Sequence, residues 1–302
     1  IIIGPNCKEP WKVRGPVGMS AMSYGALGEN AISSMSYGLG AATGSWVHTG
    51  EGGLAPYHTI GGGDVIMQIG SGIFGVRNED GTFSWEKFKE KASNPQLRCF
   101  EIKLAQGAKI RGGHVEGSKV NDEIAAIRGV TPWKTVDSPN RHRQFHDYPS
   151  LFDFIDKLRK EGGKPVGIKI VMGGPDSADD LANYMAKTSR GPDFITVDGG
   201  EGGSGATYQE MADSMGVPIK SALIYCDDAL RKSGVRDRIK IFASGKLFSP
   251  DKIAIALASG ADLINIARGM MISVGCIGAE KCHSNKCPVG VATTDKKHQK
   301  AL

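Results

Sequence analysis

The chain has 302 residues, 40% hydrophobic and 23% charged, which is enough apolar material for one large core and an ordinary charge level for a folded enzyme. Its net charge of +5 is not gathered into a basic stripe with interleaved aromatics, which argues against a nucleic-acid partner and suits anionic small molecules or an acidic electron-donor protein. No apolar run approaches the roughly 18 residues of a membrane helix, and Ile1-Ile2-Ile3-Gly4-Pro5 is not a signal peptide; a cytoplasmic protein is expected, and an opening without methionine suggests a fragment or one domain of a longer chain.

Short β-like runs alternate with amphipathic stretches along the chain. Candidate strands fall at 17–22, 46–48, 65–69, 100–103, 166–171, 194–197, 239–243 and 263–266. Helical spacing occupies 29–39, 84–92, 150–160, 176–188, 219–233 and 250–258. Ser249-Pro250 reads as a helix start with serine as cap and proline in the first turn, and Ser150 and Asp176 read as similar starters. Eight strand–helix units predict an α/β fold, a parallel (β/α)8 TIM barrel, as a single domain over 1–302. Two segments exceed the repeat: a long insertion after the fourth strand, 107–149, and a cysteine-rich tail after Ser273. The 42 glycines cluster after apolar runs, as at Gly50, Gly52 and Gly53 and again at Gly199 to Gly205, where backbone N–H groups can approach a ligand closely.

Cys7, Cys99 and Cys226 are isolated, and the last two sit in apolar surroundings as core thiols. Cys276, Cys282 and Cys287 form C-x5-C-x4-C followed by Pro288. That pattern suits an iron–sulfur cluster in the loop 276–287, with three irons or with four and an open corner. Zinc would need a fourth ligand, and His283 adjoins Cys282 awkwardly. Reduced thiols, or one disulfide with a thiol left over, fit the spacing as well. The triplet follows the last strand and its Ala267-Arg268-Gly269 turn, and the seventh strand ends in Ala243-Ser244-Gly245-Lys246. Turns after the last two barrel strands are where such folds hold phosphate groups.

Five stretches together resemble the FMN-binding synthase domain of glutamate synthases, including its stand-alone and archaeal-type relatives. They are Met22-Ser23-Tyr24-Gly25, Thr49-Gly50-Glu51-Gly52-Gly53, the run from Glu101 to Lys109, the run from Asp198 to Ala206, and the tail from Cys276 to Thr293. The resemblance spans nearly the whole chain. It implies FMN at the C-terminal ends of the barrel strands and a [3Fe–4S] cluster on Cys276, Cys282 and Cys287. It also implies reductive synthesis of L-glutamate: ammonia from a glutaminase domain or subunit meets 2-oxoglutarate, and the 2-iminoglutarate takes a hydride from reduced FMN. Electrons come from ferredoxin or an NAD(P)H-oxidising subunit through the cluster, in an oligomeric assembly. FMN contacts carried over by position are Ser20, Ala21, Met22, Ser23, Gln68, Lys103, Lys169, Gly202, Gly203, Ser204, Gly245, Ala267 and Arg268. Lys169 ends an inward-facing alternation, and a cation there would stabilise a reduced anionic flavin.

A dicarboxylate substrate needs two fixed cations, and Lys109 and Arg128 are the expected clamps. Glu51 is expected to position ammonia or couple sites. His142, His146 and Asp147 read as a polar loop at the substrate entrance rather than a metal cluster, because Pro139 and Pro149 bracket them. Departures from the family pattern fall beside the substrate. Lys109-Ile110-Arg111-Gly112-Gly113 is one residue short of the usual loop, and Ser138-Pro139-Asn140-Arg141-His142-Arg143 replaces a proline-rich histidine pair. A flavin oxidoreductase acting on another amino or oxo acid, of N-methylglutamate synthase type, is therefore the second expectation. An electron-transfer subunit is the third and a zinc-stapled barrel a distant fourth. Neither a glutaminase nucleophile at the first residue nor a G-x-G-x-x-G nucleotide fingerprint near a terminus is seen.

Overall fold

In the computed structural model, which describes residues 1–108, 113–203, 214–300 and 302, eight parallel strands form a nearly closed barrel. They are β1 Val17–Met19, β2 Trp46–His48, β3 Asp64–Ile69, β4 Leu97–Lys103, β5 Val166–Ile170, β6 Phe194–Asp198, β7 Lys240–Ser244 and β8 Leu263–Ile266. From β2 to β8 each strand pairs with the next, and β8 returns to β1. Between β1 and β2 no ladder forms among the described residues. That seam is bridged by Ser45 Oγ donating to Val17 O at 2.8 Å and by Gly15 N donating to Gly44 O at 3.1 Å. All eight expected strands are present. The first ends at Met19 instead of residue 22, because the Ser20 N–H makes its bond to Ile266 O and the chain then opens into a loop.

Alternation along the strands divides the core. Outward residues such as Val65, Met67, Ile168, Val197 and Ile264 join the helices in one large cluster. Inward residues at the N-terminal end, Trp46, Ile66, Cys99, Phe194, Phe242 and Leu263, form a second cluster inside the barrel. Gly18 on β1 leaves room for the Trp46 ring, since a Cβ there would lie 2.2 Å from it. A short antiparallel hairpin, Ile2–Ile3 with Trp11–Lys12, closes this end and adds Ile3 and Trp11 to the inner cluster. Two-residue strands carry too little periodicity to be read from sequence. One step further along, the inward residues become polar: His48, Gln68, Glu101, Thr196, Ser244 and Asn265 are all buried.

The expected helices are present, with different starts for three, of which Trp85–Ala92 begins one residue after its cap Ser84. The helix Tyr148–Gly162 is capped by Asp147, whose side chain accepts from Ser150 N at 2.9 Å, so Ser150 closes the capping box rather than opening the helix. The helix Pro175–Thr188 follows Gly174, with proline in the first turn, and Asp176 lies inside it. Ser249 does precede Pro250–Ala258, but its side chain makes no cap bond to the helix backbone. The insertion carries structure of its own: strands His114–Val115 and Val136–Asp137 and a helix, Asp122–Arg128, capped by Asn121 accepting from Ile124 N at 2.9 Å. Val120, Ile124 and Ala125 pack with Tyr24 and Ala55, which brings the insertion over the C-terminal mouth of the barrel. Among the described residues no helix is long and apolar enough to cross a membrane.

Candidate active site

The strand ends and the loops after them surround one cavity. Twelve of the thirteen residues expected to touch a flavin line it: Ser20, Ala21, Met22, Ser23, Gln68, Lys103, Lys169, Gly202, Gly203, Gly245, Ala267 and Arg268. Glu51 and Arg128 line it too. Ser204 and Lys109, with Arg111, lie outside the described residues.

Strand alternation puts the charged groups here. Cys99, Glu101 and Lys103 project inward from β4, Gly167 and Lys169 from β5, and Thr196 and Asp198 from β6. Lys103 Nζ donates to Glu51 Oε1 at 2.7 Å and to Gln106 Oε1 at 2.9 Å, and Gln106 Nε2 donates to Gly203 O at 2.7 Å. Burial pushes the Glu51 carboxyl up, but Lys103, Arg128 and Lys169 outweigh it and hold it below the usual range. Among the described residues Lys169 Nζ has one ion-pair partner, Asp198 Oδ2 at 3.7 Å, whose carboxylate accepts from Gly107 N at 3.0 Å. Its remaining donor capacity faces the cavity. Gly50 adopts φ +60° and approaches the Ser23 backbone so closely that a Cβ would stand 2.8 Å from Ser23 N. That contact sets the two glycine- and serine-bearing loops side by side.

Arg128, at the end of the insertion's helix, is buried. Its Nη2 donates to Tyr24 O at 3.1 Å and reaches Ser23 Oγ at 3.4 Å, and its guanidinium lies 5.3 Å from the centre of the Phe74 ring. Among the described residues its Nε is buried without a partner. Burial pulls its pKa down to about 10, and Glu51 opposes that. Part of the fork therefore holds the Met22–Tyr24 loop.

His142, His146 and Asp147 do not converge. His142 is buried against Phe145, ring centroids 4.7 Å apart, with Nε2 donating to Lys103 O at 3.0 Å. His146 is exposed, and Asp147 caps a helix. All three line a second cavity, with Asn140 and Arg141, that shares Glu51 and Lys103 with the first.

Cys276, Cys282 and Cys287 are free thiols on the tail loop. Burial pushes the Cys282 thiol up; Lys119 opposes this, Cys276 and Cys287 add to it, and Arg268 also opposes it. Among the described residues no group of three His, Cys, Asp or Glu side chains stands ready to hold a metal ion. Cys99 and Cys226 are core thiols, as expected.

Four site residues had escaped the sequence reading. Gln106 and Asp198 were quoted only as parts of longer runs. Glu101 had a signal, because a charge at an inward strand position between Cys99 and Lys103 is unusual. Lys119 had none.

Residues 1–302 match the conserved region in glutamate synthase. The chain is 58% identical over 302 residues to the glutamate synthase large subunit-like protein YerD of Bacillus subtilis (strain 168), covering all of this chain and 58% of that protein. It is 33% identical over 295 residues to an archaeal-type glutamate synthase [NADPH] of Thermotoga maritima, covering 96% of this chain and 54% of that one. The chain thus spans a little over half the length of these relatives. Among solved structures, a mandelate oxidase variant with an FMN monooxide adduct superposes with a TM-score of 0.52 at 15% identity, over 89% of this chain and 69% of that one, a likeness of fold.

Proposed function

Because the chain belongs to the glutamate synthase family, matched over its whole length, we propose that it is the FMN-binding oxidoreductase barrel that aminates 2-oxoglutarate to L-glutamate. The observation that carries this reading is the single cavity gathering Lys103, Lys169, Glu51, Arg128 and the glycine loops at the C-terminal strand ends. FMN fits the residues there: Lys169 has donors to spare beside Asp198, and the Gly202–Gly203 backbone is held against Gln106 and Ala108. Ser20 to Ser23, Gln68, Lys103, Lys169, Gly202, Gly203, Gly245, Ala267 and Arg268 would hold it, with Ser204. Bound FMN supplies the hydride that reduces 2-iminoglutarate, the imine formed from 2-oxoglutarate and ammonia with loss of water. Arg128 and Lys109 fix the two carboxylates and so the distance of the reacting carbon from the ring. Glu51 holds Lys103 Nζ in place at 2.7 Å on the cavity wall.

What supports an iron–sulfur cluster is the donor type alone: three thiols on one loop, with Gly278 N 3.5 Å from Cys276 Sγ and the cations Lys119 and Arg268 acting on Cys282, while among the described residues the three are not gathered as a metal group. A [3Fe–4S] group on Cys276, Cys282 and Cys287 would supply one-electron delivery to the flavin site. The partners this reading calls for are a glutaminase domain or subunit for ammonia, and ferredoxin or an NAD(P)H-oxidising subunit for electrons, in a cytoplasmic oligomer.

A second reading, oxidation or reduction of a different amino or oxo acid, is favoured by the side cavity lined by Asn140 and Arg141, which opens on the same Glu51 and Lys103.

The purified protein is expected to show flavin absorbance and bound iron, and 2-oxoglutarate is expected to perturb the flavin spectrum. Arg128→Ala should weaken that response about a hundredfold, the loss of two charge-assisted hydrogen bonds, and loosen flavin binding less, through the Met22–Tyr24 loop it holds. A colourless protein overturns the reading. A spectrum that answers another acid and not 2-oxoglutarate turns it to the second.

A further inference from the structure

Beneath the cavity floor lies a buried carboxylate that the reaction outlined above does not use. Glu101, on β4, is fully buried inside the barrel. Its Oε1 accepts from His48 Nε2 at 3.1 Å and from Gln68 Nε2 at 2.6 Å, and its Oε2 accepts from Thr196 Oγ1. The direction of each bond is fixed by chemistry. His48 Nδ1 accepts from Gly50 N at 3.2 Å, so the ring proton sits on Nε2 and points at Glu101. Burial pushes the Glu101 carboxyl up, but His48, Lys169 and Thr196 outweigh it and hold it well below the usual range. An ionised carboxylate can only accept, so the Gln68 amide must turn its NH2 towards Glu101. The ambiguity that usually attends a glutamine side chain is removed here by its neighbour.

The other end of that amide is then an oxygen. Gln68 Oε1 accepts no hydrogen bond among the described residues, nor is it one of the solvent-inaccessible atoms left unpaired, so it opens on the cavity that Gln68 lines. The Gln68 backbone is fixed as well, its N–H donating to Thr49 Oγ1 at 3.1 Å. Side chain and main chain are thus both tied to the Thr49–Gly50 turn.

We propose that Glu101 is a positioning residue: its buried carboxylate locks the Gln68 amide so that an acceptor oxygen alone faces the cavity, selecting a ligand ring that offers an imide N–H at that point. The inference rests on the flavin reading, because the isoalloxazine ring carries one such group, at N3.

The test compares FMN with N3-methyl-FMN, titrated by fluorescence into the full chain stripped of flavin. The unaltered protein should prefer FMN about tenfold or more, the worth of one hydrogen bond in a dry site. Glu101→Gln lets the pinning group donate as well as accept, frees the Gln68 amide to turn over, and should reduce the preference to about threefold or less. Gln68→Met removes the acceptor and leaves the Glu101 carboxylate in place on His48 and Thr196, short of one donor; it should remove the preference even if Glu101→Gln fails to fold. If the unaltered protein binds neither flavin, the flavin reading fails and this inference with it. If it binds both equally well, the orientation inference fails alone. A preference that survives in Gln68→Met also overturns it, by assigning the selection to another group.

Discussion

His58 shows how one side chain can govern the loop that fronts the cavity. It is fully buried, its Nδ1 accepts from Ala55 N at 3.1 Å, and its Nε2 faces Met22 O at 3.4 Å. Burial pulls its pKa from 6.5 to about 4, while the backbone bonds to Met22 and Ala55 resist and His48 adds a little. The unfolded chain therefore binds more protons than the folded one between pH 4 and 6.5. His58 leaves stability untouched above that window and withdraws it as pH falls through it, by about 3 kcal/mol in all. In His58→Phe, urea unfolding at pH 7 and pH 4 should show an acid loss smaller than the parent's by roughly that amount; equal losses would refute the assignment. Nothing in Pro56-Tyr57-His58-Thr59 announces this role, because a lone histidine acquires its pKa from what covers it. Lys169 was legible for the opposite reason: it stands at an inward position of a strand, where β-alternation decides which way it points. Lys103 came only from the family resemblance, and it stands at a like inward position on β4.

At the level of elements, the strands were legible because fully buried parallel strands are short apolar runs, and the insertion's helix was not. Asp122–Arg128 spans two turns, too short for a periodic signal to outweigh the polar loop around it. Yet that helix supplies Arg128, and the turn before it supplies Lys119. The Lys119 side chain is buried, with Nζ donating to Ala26 O at 2.8 Å, Cys282 O at 2.8 Å and Ala292 O at 3.2 Å. All three ammonium protons are used, so one residue fastens the insertion to the loop after β1 and to both arms of the cysteine tail. Burial pulls its pKa down to about 8, with Cys282 resisting. Lys119→Met should leave three carbonyls without a donor and destabilise the fold by about 2–4 kcal/mol, tempered by relief of the buried charge. Hydrogen exchange should accelerate first in residues 282–292, while the amides of β4 to β6 keep their protection. Uniform acceleration across the barrel would show that Lys119 is not a local fastener.

The whole molecule separates two tasks along the barrel axis. At the C-terminal end the inward positions are charged or polar and open on the cavity; at the N-terminal end they are aromatic and aliphatic and closed by the hairpin. Trp11 belongs to the closed end. Its ring meets Trp46 edge-on at 5.8 Å and stacks on Phe242 at 6.5 Å, and its Nε1 donates to Asp64 Oδ2 at 2.9 Å. Trp46 in turn donates from Nε1 to Asn265 Oδ1 at 2.9 Å, at the first polar level of the interior. The seam between β1 and β2, which lacks a ladder, runs past this stack, so packing at the closed end does there what strand pairing does elsewhere. Trp11→Ala should therefore cost about 3–5 kcal/mol, the range for removing a buried aromatic and leaving a cavity. The polar layer of His48, Gln68 and Glu101 stands between that cavity and the ligand site, and its bonds are made within the layer. Below its lowered unfolding midpoint, the variant should bind FMN with the parent's affinity and the parent's preference over N3-methyl-FMN. A loss of preference at full folding would mean that the closed end sets the geometry of the open one, and that the two ends are not independent.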